Sequence, residues 1–258
     1  MQVRIWERLK PLLLAVMLGS LMTAAIAETA QETAVKKLIE PRLGDGVKVD
    51  AVAKTPYLGM FEVRVGKDIF YTDAAAKYMF VGRILDAKSS RDYTKERMDE
   101  ISKVKFSDLP LELAMKSVKG NGKRVIAVFE DPNCGYCKKF RKTLQDVDNV
   151  TVYTFMYNIL AADSAVKSKN VWCSANRDKA WDDWMLNGKL PATAAASCVA
   201  TPNDKVLALG QALGVSGTPT IIFADGSRIP GFIDAKALEE KFASVVPAAP
   251  VTPVASSK

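Results

Sequence analysis

Histidine is missing from all 258 residues of the chain. That absence removes the Cys–His proteases and Ser–His–Asp hydrolases, which need an imidazole base, and every zinc set completed by imidazole. Cysteine is scarce, at four residues, and only Cys134 and Cys137 are closely spaced; Cys173 and Cys198 lie 25 apart. A Cys₄ zinc ribbon wants two close pairs, so no metal site is expected. No basic run is interleaved with aromatics, so nucleic-acid binding is not expected either. The formal charge of +7 owes part of its excess to Arg4, Arg8 and Lys10 near the start, and it favours no particular partner. Beyond the N-terminus, no uncharged apolar stretch approaches the ~20 residues of a membrane-spanning helix.

What is present begins with those basic residues. They precede an apolar stretch opening Pro11-Leu12-Leu13-Leu14, and Ala25-Ile26-Ala27 supplies a small–x–small cleavage pattern. Residues 1–27 therefore read as a secretory signal peptide cut after Ala27, leaving a soluble exported protein. Export places the cysteines in an oxidising compartment, where two pairs with two jobs is the natural reading.

Residues 28–88 read as a small unit: a helix over Gln31 to Leu43 with Val35, Leu38 and Ile39 on one face, then strands at Val47 to Val52, Leu58 to Val65, Asp68 to Tyr71 and Tyr78 to Ile84. Such a unit is too small to be comfortable alone, and its edge strands call for a partner. Residues 89–116 read as a charged linker helix region, with a further helix expected over Leu109 to Val118. From 117 to 246 the pattern turns α/β: apolar strands at Val125 to Phe129, Val150 to Tyr157 and Thr220 to Ala224 alternate with helices at Tyr136 to Leu144, around Val166 to Leu186, at Asn203 to Leu213 and at Ala235 to Val245. Trp172, Trp181 and Trp184 are assigned to packing. The tail, 247–258, is Ala/Pro/Ser-rich and reads as disordered.

The chemistry gathers at Cys134-Gly135-Tyr136-Cys137, which follows an apolar strand and opens a helix. Unpaired N–H groups and the helix dipole stabilise an anion there, so Cys134 reads as the attacking thiolate and Cys137 as the resolving thiol. Gly217-Thr218-Pro219-Thr220 precedes the apolar strand Ile221-Ile222-Phe223, and Pro219 is a candidate cis residue.

With Phe129-Glu130-Asp131-Pro132-Asn133 leading into the cysteines, Val171-Trp172-Cys173, Gly214-Val215-Ser216-Gly217-Thr218-Pro219 and Pro230-Gly231, the chain resembles the periplasmic protein disulfide isomerases of the DsbC/DsbG type. Gly135-Tyr136 favours the DsbC branch, since proline is typical of DsbG after the first cysteine. The resemblance implies an α/β thioredoxin-like catalytic domain preceded by a small α+β, cystatin-like dimerisation domain and a linker helix. It implies a V-shaped periplasmic homodimer that reshuffles wrong disulfides in misfolded exported proteins and is kept reduced by a membrane thiol reductase of the DsbD type, with no cofactor. It also implies a structural Cys173–Cys198 disulfide, and a cis Pro219 preceded by Thr218 beside the active site, where Gly135 and Tyr136 help shape the substrate groove. Two other functions stay open: a dithiol oxidase of the same fold, and a dimeric periplasmic chaperone with secondary thiol activity. Lys138 departs from the histidine found in a well-known relative; it either tunes Cys134 or belongs to a solvated face with Lys139, Arg141 and Lys142. The buried acid of thioredoxin, six residues before the first cysteine, is replaced by Val128, leaving Glu130 and Asp131 as nearby acids of undecided reach.

Overall fold

The computed structural model describes residues 29–245, so the signal-peptide and tail assignments lie outside the described residues. The chain divides into two compact units, one built from residues up to 66 with 70–81, the other from 67–69 and from 82 onward.

The first unit opens with helix α1 (Ala30–Ile39), whose N-terminal N–H groups are satisfied by a reciprocal cap between Thr29 and Glu32. The chain then tightens into a 3₁₀ turn over Glu40–Arg42. Strands β1 (Ala51–Lys54), β2 (Phe61–Val65), β3 (Asp68–Thr72) and β4 (Met79–Phe80) form a sheet in sequence order. Val35 and Ile39 of α1 pack onto Val52, Phe61, Val63 and Phe70, while Leu38 points outward. The strand expected over Tyr78 to Ile84 shrinks to the two residues of β4, which pair with Tyr71 and Thr72 and leave Tyr78, Met79, Phe80 and Val81 exposed.

In the second unit, α2 (Tyr93–Ile101) is capped by Asp92 and shorter than the expected linker helix. Two 3₁₀ turns follow, and Met115–Lys119 is strand β5, not the end of a helix. The reason is long-range: β5 pairs antiparallel with β7 (Val150–Met156) from Met115↔Thr154 to Lys119↔Val150, and that ladder outweighs local preference. Between them in the chain lie β6 (Arg124–Glu130) and α3 (Gly135–Gln145); later come α4 (Ser164–Trp172), α5 (Arg177–Asn187), α6 (Asn203–Ala212), β8 (Thr220–Phe223), β9 (Arg228–Pro230) and α7 (Ala235–Ser244). The sheet order is β5-β7-β6-β8-β9, with β6 parallel to β7 and antiparallel to β8.

Strand β6 is apolar on both faces because both are covered. Ile126 and Val128 face a cluster with Phe140, Leu144, Ile221 and Leu238, whereas Ala127 and Phe129 face Phe155, Tyr157, Val206 and Ile222. The helical region expected around Val166 to Leu186 is broken in two: Cys173 ends α4, and Asn176 caps α5 by accepting from the Lys179 N–H. Among the described residues, no helix is long and apolar enough to cross a membrane.

Candidate active site

The end of the central strand positions the cysteines. Leaving β6, Asp131 turns fully inward and fixes the next loop: its carboxylate accepts from the N–H groups of Asn133 (2.8 Å), Ile159 (2.8 Å) and Leu160 (3.0 Å) and from the Ser164 hydroxyl (2.9 Å). Asn133 is held in turn by Asp163 and Lys167, and the Trp184 indole donates to the Pro132 carbonyl at 2.6 Å. This frame delivers Cys134 to the N-cap of α3, where its sulfur accepts from the Cys137 N–H at 3.1 Å. Serine, aspartate or asparagine commonly fills that role; here a sulfur does, and the same N–H groups that need a cap stabilise its anion.

The two thiols diverge sharply. Cys134 is lowered from 9.0 to about 6, chiefly by the hydrogen bond from the Cys137 thiol and further by Thr218 and the backbone N–H groups of Cys137 and Tyr136, against the opposing effect of burial. Cys137, fully buried, is pushed strongly up, first by burial, then by Cys134 and by the charge of Glu130. Both are free thiols, packed with Met115, Met156, Val171, Trp181 and Met185.

Across from Cys134, the Thr218–Pro219 peptide bond is cis, and the Thr218 carbonyl accepts from the Cys134 thiol at 3.2 Å. Tyr136 is 60% exposed beside this sulfur pair, its ring 6.4 Å from that of Phe232. Gly135 faces open space, so no close approach demands a glycine there. Cys173 and Cys198 are joined in a disulfide with Cα atoms 6.1 Å apart.

Several side chains depart from expectation. Arg141 does not belong to a solvated face: it is buried, with Nε 2.9 Å from Glu130 and a terminal nitrogen 2.5 Å from the Thr154 hydroxyl. The Lys138 ammonium lies 4.3 Å from the Trp184 ring, which Lys167 also approaches at 4.7 Å. Trp181 packs as expected but also donates to Glu130 at 3.1 Å. Phe232 and the Glu130–Arg141–Trp181 cluster escape sequence reading. For the cluster the available signal is a Glu at the apolar strand's end with an Arg one helical turn beyond Cys137; for Phe232 there is none.

A five-stranded mixed sheet, a dithiol at the helix following its central strand and a cis-proline loop facing it define a thioredoxin-fold dithiol protein. Comparison with known proteins agrees. Residues 111–245 match the thioredoxin-like domain family, and residues 26–95 match the disulfide bond isomerase protein N-terminal domain. The probable thiol:disulfide interchange protein DsbC of Bordetella pertussis is 48% identical over 218 residues, covering 84% of this chain and 76% of that one. DsbC of Escherichia coli K12 is 31% identical over 201 residues, covering 76% and 81% respectively. A solved disulfide interchange protein from Neisseria gonorrhoeae superposes with a TM-score of 0.50 at 38% identity, over 53% of this chain and 97% of that one. The chain belongs to the DsbC family of thiol:disulfide interchange proteins. The oxidase and chaperone alternatives are not favoured.

Proposed function

We propose that Cys134 and Cys137 carry this activity, on misfolded exported proteins in the periplasm, with Cys134 as nucleophile and Cys137 as resolving thiol. The observation that carries the reading is the Cys134 sulfur at the N-cap of α3, ionised from about pH 6 upward. The Cys134 thiolate attacks one sulfur of a substrate disulfide; that S–S bond breaks and the other sulfur leaves as a thiolate. A substrate thiolate then attacks the substrate sulfur of the mixed disulfide, forming a new substrate disulfide and returning Cys134 as a thiolate. No electrons are gained or lost overall. When reshuffling stalls, Cys137 attacks Cys134 instead: the substrate leaves reduced, the enzyme leaves oxidised, and two electrons and two protons from a membrane reductase of the DsbD type restore it.

Gly135, Tyr136, Thr218 and Pro219 line the groove in this reading, and the Cys173–Cys198 bond is structural. The boundaries 28–88, 89–116 and 117–246 are taken as N-terminal unit, linker region and catalytic domain. A homodimer through the N-terminal unit is supported by β4, an edge strand of two residues flanked by exposed Tyr78 and Val81.

The test is capture. A Cys137→Ala variant incubated with a scrambled multi-disulfide protein accumulates a mixed disulfide through Cys134, mapped by peptide analysis, and light scattering of the intact protein gives the mass of a dimer. Adducts through any other cysteine refute the site assignment, and a monomer refutes the assembly.

A further inference from the structure

Two lysines follow the reactive pair directly, and both rest on aromatic rings. Side chains on α3 lean back toward its N-terminus, so those of the second turn reach over the first. Lys138 stands four residues after Cys134, its backbone N–H donating to the Cys134 carbonyl at 3.1 Å. Its ammonium lies 4.3 Å from the ring of Trp184, whose indole donates to the Pro132 carbonyl just ahead of Cys134. The Lys139 ammonium lies 5.0 Å from the ring of Tyr136, the exposed residue between the two cysteines.

An aromatic face holds an ammonium in place without neutralising it. The other charges of this region are matched. Lys167, which also approaches Trp184, pairs with Asp163 at 2.7 Å, and Asp183 of α5 pairs with Lys179 at 2.8 Å. Asp131 is committed to its loop, and Glu130 and Asp182 share Arg141. Among the described residues, neither Lys138 nor Lys139 has a carboxylate partner. Thr218, Pro219 and Phe232 add no charge of their own. The surplus at the reactive end of α3 is therefore two cations, one held on the α5 side and one on the Tyr136 side.

We infer that Lys138 and Lys139 select, among the disulfides of exported proteins, those with acidic side chains beside their cysteines. A thiolate alone repels such a segment, and two ammonium groups reverse the sign of the local field. The exchange step is unaltered: the Cys134 sulfur bonds to one substrate sulfur, that S–S bond breaks, and the other sulfur leaves as a thiolate. What the lysines change is how often an acidic segment meets the attacking sulfur. The inference rests on the role given to Cys134 above.

The test uses full-length Cys137→Ala protein, which stops at the mixed disulfide, and two cystine peptides alike except for glutamates or lysines beside the cysteines. Capture is followed by intact mass, and each rate is divided by that of mercaptoethanol with the same peptide. At about 10 mM salt the glutamate peptide is favoured about tenfold or more, and at about 1 M salt, where charges are screened within ~3 Å, the preference collapses. Lys138→Gln alone lowers the ratio, whereas Lys142→Gln, an equal loss of charge one turn farther along α3, does not. Lys138→Glu with Lys139→Glu inverts it. A change in Cys134 acidity would move both rates together and leave their ratio alone. A ratio near one, a ratio indifferent to salt, or a ratio that Lys142→Gln lowers as much as Lys138→Gln overturns the inference. If the double variant fails to fold, the wild-type ratio, its salt dependence and the single variants decide. If neither peptide forms an adduct at Cys134, the cysteine assignment itself is defeated instead.

Discussion

Two cysteine pairs share one unit and differ in almost every physical respect. Cys173 and Cys198 join the end of α4 to a distant loop across 25 residues and are closed. Cys134 and Cys137 are neighbours on one turn of α3 and are open. A bond closing so long a loop restricts the unfolded chain, an effect that grows with loop length. The second gains little that way; its cysteines are pulled apart in acidity by a helix terminus on one side and a sealed apolar cluster with a buried carboxylate on the other. The widely spaced pair is closed and the close pair is free, and the surroundings then set the two free thiols apart in acidity.

Removing each pair in turn gives the largest contrast. Cys134→Ser should lower disulfide exchange by about three orders of magnitude or more, because a hydroxyl at its ordinary pKa is a poor nucleophile, while thermal stability changes little below about pH 6, where the Cys134 thiol is protonated. Replacing Cys173 and Cys198 together by Ala should do the reverse, costing roughly 3–4 kcal/mol of unfolding free energy with exchange largely kept. Exchange assays and denaturant unfolding of both variants check this, and a double variant as stable as the wild type breaks the contrast.

A smaller effect sharpens the difference within the reactive pair. Trp181→Phe removes one of the donors to Glu130 and should cost roughly 1–3 kcal/mol, read from the urea midpoint, because a buried carboxylate loses a hydrogen bond. A cost near zero would mean that the indole only packs.

The depressed Cys134 pKa also makes stability depend on pH. The folded value is below the unfolded one, so the stabilisation is fully present above about pH 9 and lost as pH falls through about 6. The Tm gap between reduced wild type and Cys134→Ala should therefore widen from acid to alkaline pH; a gap constant across that range contradicts a shifted thiol.

Much of this was legible in the residues themselves. The Cys134–Cys137 motif between an apolar run and a helix pattern marks the strand–helix junction, and β6 reads as buried because it lacks alternation. The fate of Met115–Lys119 was not legible, since its partners in β7 lie 31 to 39 residues away and short segments carry no sign of such pairing. Arg141 misleads for a similar reason: beside Lys138, Lys139 and Lys142 it reads as surface charge, and only the meeting of α3, β6 and α5 turns it inward. Trp181 shows as a packing residue, but its hydrogen bond to Glu130 depends on two elements 51 residues apart.

The central claim, that neighbouring thiols are set apart by their surroundings, is tested most directly by the pH dependence of alkylation. Reduced protein is pulsed with limiting iodoacetamide at a series of pH values, and labelling of Cys134 and Cys137 is quantified by peptide mass. The account predicts a Cys134 rate that rises through an inflection near 6, with Cys137 unlabelled across the same range. Two cysteines labelling together, with a shared inflection near the ordinary thiol value of about 8.5, would contradict it.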